Sequence, residues 1–175
     1  AVARMVAKHQ WPIRIHATYD ETISQILDVF ERVFDEAQYD ARWAFDHAES
    51  ISPHNVDRVK ALGGGIAIQN RLSFSGEFFL DRYGAEAALG VQPLRQILDA
   101  GIPVGAGTDA TRPASYNPWV SLHWMITGKT VGGTQITTTE SRLSRLEALR
   151  LYTTGSAWFS GEETVKGTIA SGQYA

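Results

Sequence analysis

Residues Ile102–Ala110 read IPVGAGTDA. The apolar run Ile102–Ala106 reads as a short buried strand, and it ends in Gly107, Thr108 and Asp109. A carboxylate at the end of a buried strand needs a partner or a purpose. Two histidines stand in the same relation to earlier strand-like runs: His16 closes WPIRIHA (Trp11–Ala17) and His47 closes RWAFDHA (Arg42–Ala48).

Around these runs the chain alternates strand and helix. An N-terminal helix tail carries Val2, Met5 and Val6 on one face. Asp20–Ala37 repeats Ile23, Ile26, Leu27, Phe30, Val33 and Phe34 at spacings of three and four, a helix with one apolar face and Asp20 as its cap. Ser52–Leu62 is a helix opened by Ser52 and Pro53 and closed by Gly63, and Gly65–Asn70 is a third strand. Arg71–Gly90, rich in Phe, Gly and Tyr, reads as a functional loop. Pro93–Ala100 is a helix stopped by Gly101. Thr111–Asn117 is a Pro-containing loop. Pro118–Thr127 is a helix with Trp119, Leu122, His123 and Ile126 along a face. Arg142–Thr154 is a helix with Leu143, Leu146, Leu149 and Leu151 inward, and Gly155–Gly161 adds a short helix. Lys166–Ala175 is extended around a Gly-containing turn.

Four strands alternating with helices predict an α/β fold with parallel strands and right-handed crossovers. Two architectures fit, half of a (β/α)₈ barrel or a small open sheet; a whole barrel needs about 250 residues and eight strands. The 175 residues suffice for one domain with a sizeable core, at 43% hydrophobic and 20% charged residues. A net charge of −3 gives no basic field for nucleic acid. The chain has no cysteine, hence no disulfide or thiolate ligand. No apolar run is long enough for a membrane span, and the N-terminus lacks the features of a signal peptide, which points to the cytoplasm. The chain does not begin with Met and its first residues read as the end of a helix, so it is expected to start inside a larger structure.

In a parallel barrel the C-terminal strand ends share the face where active sites are built. Two imidazoles and a carboxylate converging there suit Zn²⁺ or a similar divalent ion. Such an ion lowers the pKa of its water to about 7, and a carboxylate beside that water can take its proton. Each residue alone also has an ordinary reading, as a satisfied polar residue at a strand end or, for Asp109, a turn or cap. Arg42, at the opposite strand end from His47, reads as a stability residue. The Gly63–Gly65 run is a helix stop and not a phosphate loop. Phe74, Phe78, Phe79 and Tyr83 either line a pocket or pack among themselves.

HATYD (His16–Asp20), RWAFDHAES (Arg42–Ser50) and LRQILDAGIPVGAGTDA (Leu94–Ala110) resemble the amidohydrolase superfamily, and within it the family 3, YtcJ-like branch of metal-dependent hydrolases. SRLEALRLYTTGSAWFSGEETVKGTIASGQYA is similar to the helix after that family's last barrel strand and its return toward a small β-domain, so the resemblance covers nearly the whole chain. It implies the C-terminal half of a TIM-barrel catalytic domain, about four βα units over residues 1–175, with 166–175 leading toward a missing β-domain. It implies His16, His47 and Asp109 as ligands of one or two divalent ions, zinc first, with Asp109 also the general base. The implied reaction is hydrolysis of a carbon–nitrogen bond in a small, non-peptide amide. Tyr19, where the family more often has Gly, and His123 are weaker candidates for substrate contact. Asp46 stands where Glu is commoner. The His-x-His pair of the family's first strand and the Lys of its fourth are absent, since the other histidines are His9, His54 and His123. The expected partners are a small-molecule substrate and either a second copy or the missing N-terminal half. The competing readings are a non-catalytic half barrel, a phosphoester or lactone hydrolase of the same superfamily, and an open-sheet ligand-binding domain.

Overall fold

The computed structural model describes residues 1–110, 112 and 114–174. The chain runs α1 (Val2–Lys8), β1 (Ile13–Ala17), α2 (Asp20–Ala37), β2 (Trp43–His47), α3 (Pro53–Ala61), β3 (Gly65–Ile68), α4 (Leu72–Leu89), α5 (Leu94–Asp99) and β4 (Val104–Ala106). It continues through α6 (Pro118–Thr127), α7 (Arg145–Arg150), a π-helical turn (Leu151–Gly155) and α8 (Ser156–Trp158). The strands form one open, wholly parallel sheet in sequence order β1-β2-β3-β4. This is the predicted α/β class and the strand arrangement of a partial TIM barrel.

Pairing assigns the side chains to two faces. Ile15, Phe45, Ile66 and Val104 lie in one row, and His16, Asp46, Ala67 and Gly105 in the next. The first row packs into the core with Ile23, Leu27, Phe30, Val56 and Val59. Trp43, 1% exposed, is the hub of that core. Its ring meets Phe30, Phe34 and Phe45 edge-on at centroid distances of 5.2, 5.8 and 5.3 Å, and its Nε1 donates to Leu62 O over 2.8 Å. A Cβ on Gly64 would lie 2.3 Å from the Trp43 ring, so only glycine fits there.

The second face is polar toward the C-terminal strand ends and closed at the other. A Cβ on Gly65 would come within 2.8 Å of Trp158, and one on Gly105 within 2.7 Å of Phe159, so these glycines admit the two rings. Arg14 lies 5.2 Å from the Phe159 ring centre and Arg42 5.1 Å from that of Trp158. Arg42 also binds Glu163 through both terminal nitrogens. The outer edge of β4 is covered, because Ala106 N donates to Ser156 Oγ and Ser156 Oγ donates to Ala106 O. At β1 the bonds Ile13 N to Arg42 O and Ala48 N to Ala17 O aim alternate peptides at β2. The backbone groups of Arg14 and His16 therefore face the open edge.

Several expectations are corrected. Arg71–Gly90 is not a loop but helix α4, interrupted at Gly84 (φ 83°). It carries no one-sided apolar stripe, so periodicity could not reveal it. Asp20 is not the cap of α2; Tyr19 holds that position. The Asp20 carboxylate instead accepts from Ser52 N (2.6 Å) and Asn55 Nδ2 (2.7 Å), tying α2 to α3. Leu146 and Leu149 are exposed, because α7 is one and a half turns long and the chain then widens into the π-helical turn. In α1 the inward residue is Ala7, while Val2 and Met5 are exposed. The inward face of α6 is Ser121, Leu122, Trp124 and Met125, and Trp119 is exposed. Lys166–Tyr174 forms turns closed by a bond from Tyr174 N to Val165 O, and no strand. Positions 111 and 113 of the expected loop, and Ala175, lie outside the described residues.

Candidate active site at the strand ends

His16 and Arg14 reach the second face of the sheet because they alternate with Ile13 and Ile15, which face the helices. By the same alternation His47, paired with Ala17, belongs to the helix side. Its φ of +83° and that of Ala48, +47°, mark a left-handed turn at the end of β2. With that turn the His47 ring stands edge-on to His16, with centroids 4.5 Å apart. Asp109 follows β4 with φ +52°, and its Oδ2 lies 4.0 Å from His47 Nδ1. The three residues singled out in the sequence thus meet at one end of the sheet.

Burial and the neighbouring His16 push the His47 pKa down, against the opposing pull of Asp109, Asp46 and Glu49. His47 is therefore neutral near pH 7, the form in which imidazole binds a metal. Its approach to Asp109 is then no ion pair. Two imidazoles and one carboxylate suit zinc in kind. The spacing is wider than the roughly 3.3 Å between ligands of one tetrahedral ion with bonds of about 2.0 Å. Among the described residues, no three His, Asp or Glu side chains converge tightly enough to hold an ion. The donor set suits a divalent ion in chemical type, while its spacing in this structure does not close around one.

The cleft at this point has a volume of about 150 Å³ and is walled by Arg14, Asp46, His47, Gln69 and Asp109, among others. Arg14 Nε and Nη2 both donate to Asp46 Oδ1, at 3.0 and 2.6 Å, so its charge is compensated within the cleft. Arg14 and Gln69 were not foreseen. The signal for Arg14 was present: a charge inside a strand of a parallel sheet requires a partner, and Asp46 sits one position before His47.

Tyr19 is 41% exposed and lies beside Arg71 and Tyr83. Burial and then Tyr83 push its phenol pKa up, while Arg71 pulls it down. His123 stands apart from this cleft. It is exposed on α6 and lines an apolar groove with Trp119, Leu122, Ile126 and Leu149. His54 is exposed in the first turn of α3. Among the described residues, no helix is long and apolar enough to cross a membrane.

Comparison with known proteins accords with this fold. The model of the amidohydrolase family matches residues 1–175. The N-substituted formamide deformylase of Arthrobacter pascens is 28% identical over 166 residues, which are 93% of this chain and 30% of that protein. The crystal structure of an uncharacterized metal-dependent hydrolase from Pyrococcus furiosus superposes with a TM-score of 0.74 at 28% identity, over 94% of this chain and 32% of that one. Atrazine chlorohydrolase TrzN from Arthrobacter aurescens TC1, complexed with zinc, shares the fold with a TM-score of 0.64 at 23% identity, over 99% of this chain and 36% of that one. The chain spans about a third of the length of these relatives. With its parallel strands and the match along its whole length, the chain belongs to the amidohydrolase family.

Proposed function

We propose that this chain supplies His16, His47 and Asp109 to the metal centre of a hydrolase that cleaves the carbon–nitrogen bond of a small amide, such as an N-substituted formamide. The observation that carries the proposal is the meeting of these residues at the C-terminal ends of β1, β2 and β4 in a chain of this family. A divalent ion, zinc first, supplies when bound an acidic water and polarisation of the substrate carbonyl. His16 and His47 would hold the ion through imidazole ring nitrogens. Asp109 takes the proton of the attacking water on its carboxylate and returns it to the leaving nitrogen. Tyr19 and its neighbours Arg71 and Tyr83 form the wall toward the substrate. The remaining ligands come from a first half of the barrel, whose nearest strand pairs with the open edge of β1.

The test measures zinc content and formamide hydrolysis in the whole protein. Asp109→Asn is expected to lower kcat by about 10²-fold or more, and His16→Ala and His47→Ala to lose zinc. Hydrolysis by Asp109→Asn at the parent rate would refute the assignment. Full zinc retention by both histidine variants would refute their assignment as ligands and favour an open-sheet ligand-binding domain. Light scattering of the 175-residue chain tests whether the open edge of β1 also pairs with a second copy, and a stable monomer at high concentration speaks against that self-association.

A further inference from the structure

Glu49 lies two residues beyond His47, and its side chain is 1% exposed although it carries a charge. Its Oε1 accepts from Gln69 Nε2 over 2.5 Å and from Arg71 Nε over 2.9 Å, and its Oε2 accepts from Arg71 Nη2. Its carbonyl accepts from Gln92 N over 2.5 Å. The Gln92 side chain extends the network, donating to Gln69 O and accepting from Trp124 Nε1 over 2.6 Å. Glu49 is thereby tied to the end of β3, to the segment before α5 and, through Gln92, to α6.

These ties hold the left-handed turn at His47 and Ala48. Residues with a Cβ occupy that region only where their surroundings impose it, and such turns gather at functional sites. On the near side, Ala48 N donates to Ala17 O over 2.9 Å and Ser50 N to Thr18 O over 3.2 Å. On the far side Ile51 N donates to Ala48 O over 3.4 Å, and the Glu49 network supplies the side-chain ties. Regular pleating would leave His47 among the core residues, so the turn separates a buried histidine from one that faces His16.

We infer that Glu49, clamped by Gln69 and Arg71, is a positioning residue that holds the turn presenting the His47 imidazole to the metal centre. The inference rests on the reading of His47 as a ligand. A buried ion pair contributes little net stability by itself, whereas residues that orient a metal ligand act on metal affinity.

The experiment measures zinc affinity by competition with a chromophoric chelator, and Tm of the metal-free form, on the whole protein. Glu49→Gln is expected to weaken zinc binding about 10- to 100-fold and to speed amide exchange at Ala48. Glu147→Gln breaks an Arg–carboxylate pair between α5 and α7, with Arg95, and is expected to lower Tm while leaving zinc affinity unchanged. Arg71→Lys, which keeps the cation but loses the two-pronged contact, supplies the same readout if Glu49→Gln does not fold. Zinc affinity at the parent value in Glu49→Gln or Arg71→Lys, with binding lost in His47→Ala, would overturn the positioning role alone. A parent that binds no zinc, or His47→Ala binding as the parent does, would overturn the ligand assignment and this inference with it.

Discussion

Gly64→Ala is expected to be among the most damaging single-methyl additions in this chain. The new Cβ would lie 2.3, 2.5 and 2.8 Å from three atoms of the Trp43 ring. The ring cannot yield: it is walled by Phe30, Phe34 and Phe45 and tethered through Nε1 to Leu62 O. Overpacking of this kind costs about 1–3 kcal/mol, and loss of the indole hydrogen bond about 1 kcal/mol more. A domain of this size loses about 2–4 °C of Tm per kcal/mol, so a fall of about 10 °C is expected by calorimetry or circular dichroism. Gly63→Ala is the control. Its Cβ meets nothing within 4 Å, and only its φ of +66° opposes the substitution, at about 1 kcal/mol. Trp43→Phe combined with Gly64→Ala should cost less than the two changes added together, because the smaller ring admits the methyl. If Gly64→Ala is no worse than Gly63→Ala, the argument that β2 is fixed by its packing through Trp43 fails.

Glu147 is held at a pKa of about 2, first by Arg95 and then by Ser144. Its folded value lies below its unfolded one, so on acidification the unfolded chain takes up the proton first. The contribution to stability is present above about pH 4.5 and is lost as pH falls toward about 2. Urea titrations across that range should show an acid-sensitive limb that flattens in Glu147→Gln, and an unchanged limb would count against the pair. Gln38 ends α2 in the left-handed conformation at φ +48°. Gln38→Gly removes that cost at the loss of one side-chain hydrogen bond to Asp35 O, and should raise stability by about 0.5 kcal/mol in thermal melts; a lower Tm would contradict it.

The strands, and the meeting of His16, His47 and Asp109 at their ends, were legible because both follow from period and position. Ile13–Ala17 alternates apolar and polar residues and Val104–Ala106 is a short apolar run; His16 stands near the end of the first and Asp109 just beyond the second. Helix α4 was hidden because Phe74, Phe78 and Phe79 spread apolar groups over exposed and half-buried positions, and Gly84 breaks the period. Asp20 offered a plausible cap by type, yet its partners Ser52 and Asn55 lie more than thirty residues away. The Glu49 network was invisible for the same reason, since its members come from four separate segments. One local sign existed: Glu49 stands at the end of a strand that must be buried, where a carboxylate demands a cation.

The rings of Trp158 and Phe159, lodged against Gly65 and Gly105, give the sheet a floor. Approach to His16 and His47 from the far end of the sheet is closed by these two rings. The two ends of the sheet are therefore free to diverge independently. The loops above the histidines can change without disturbing this floor, while the glycines beneath must stay glycine, since a side chain at residue 105 would displace Phe159.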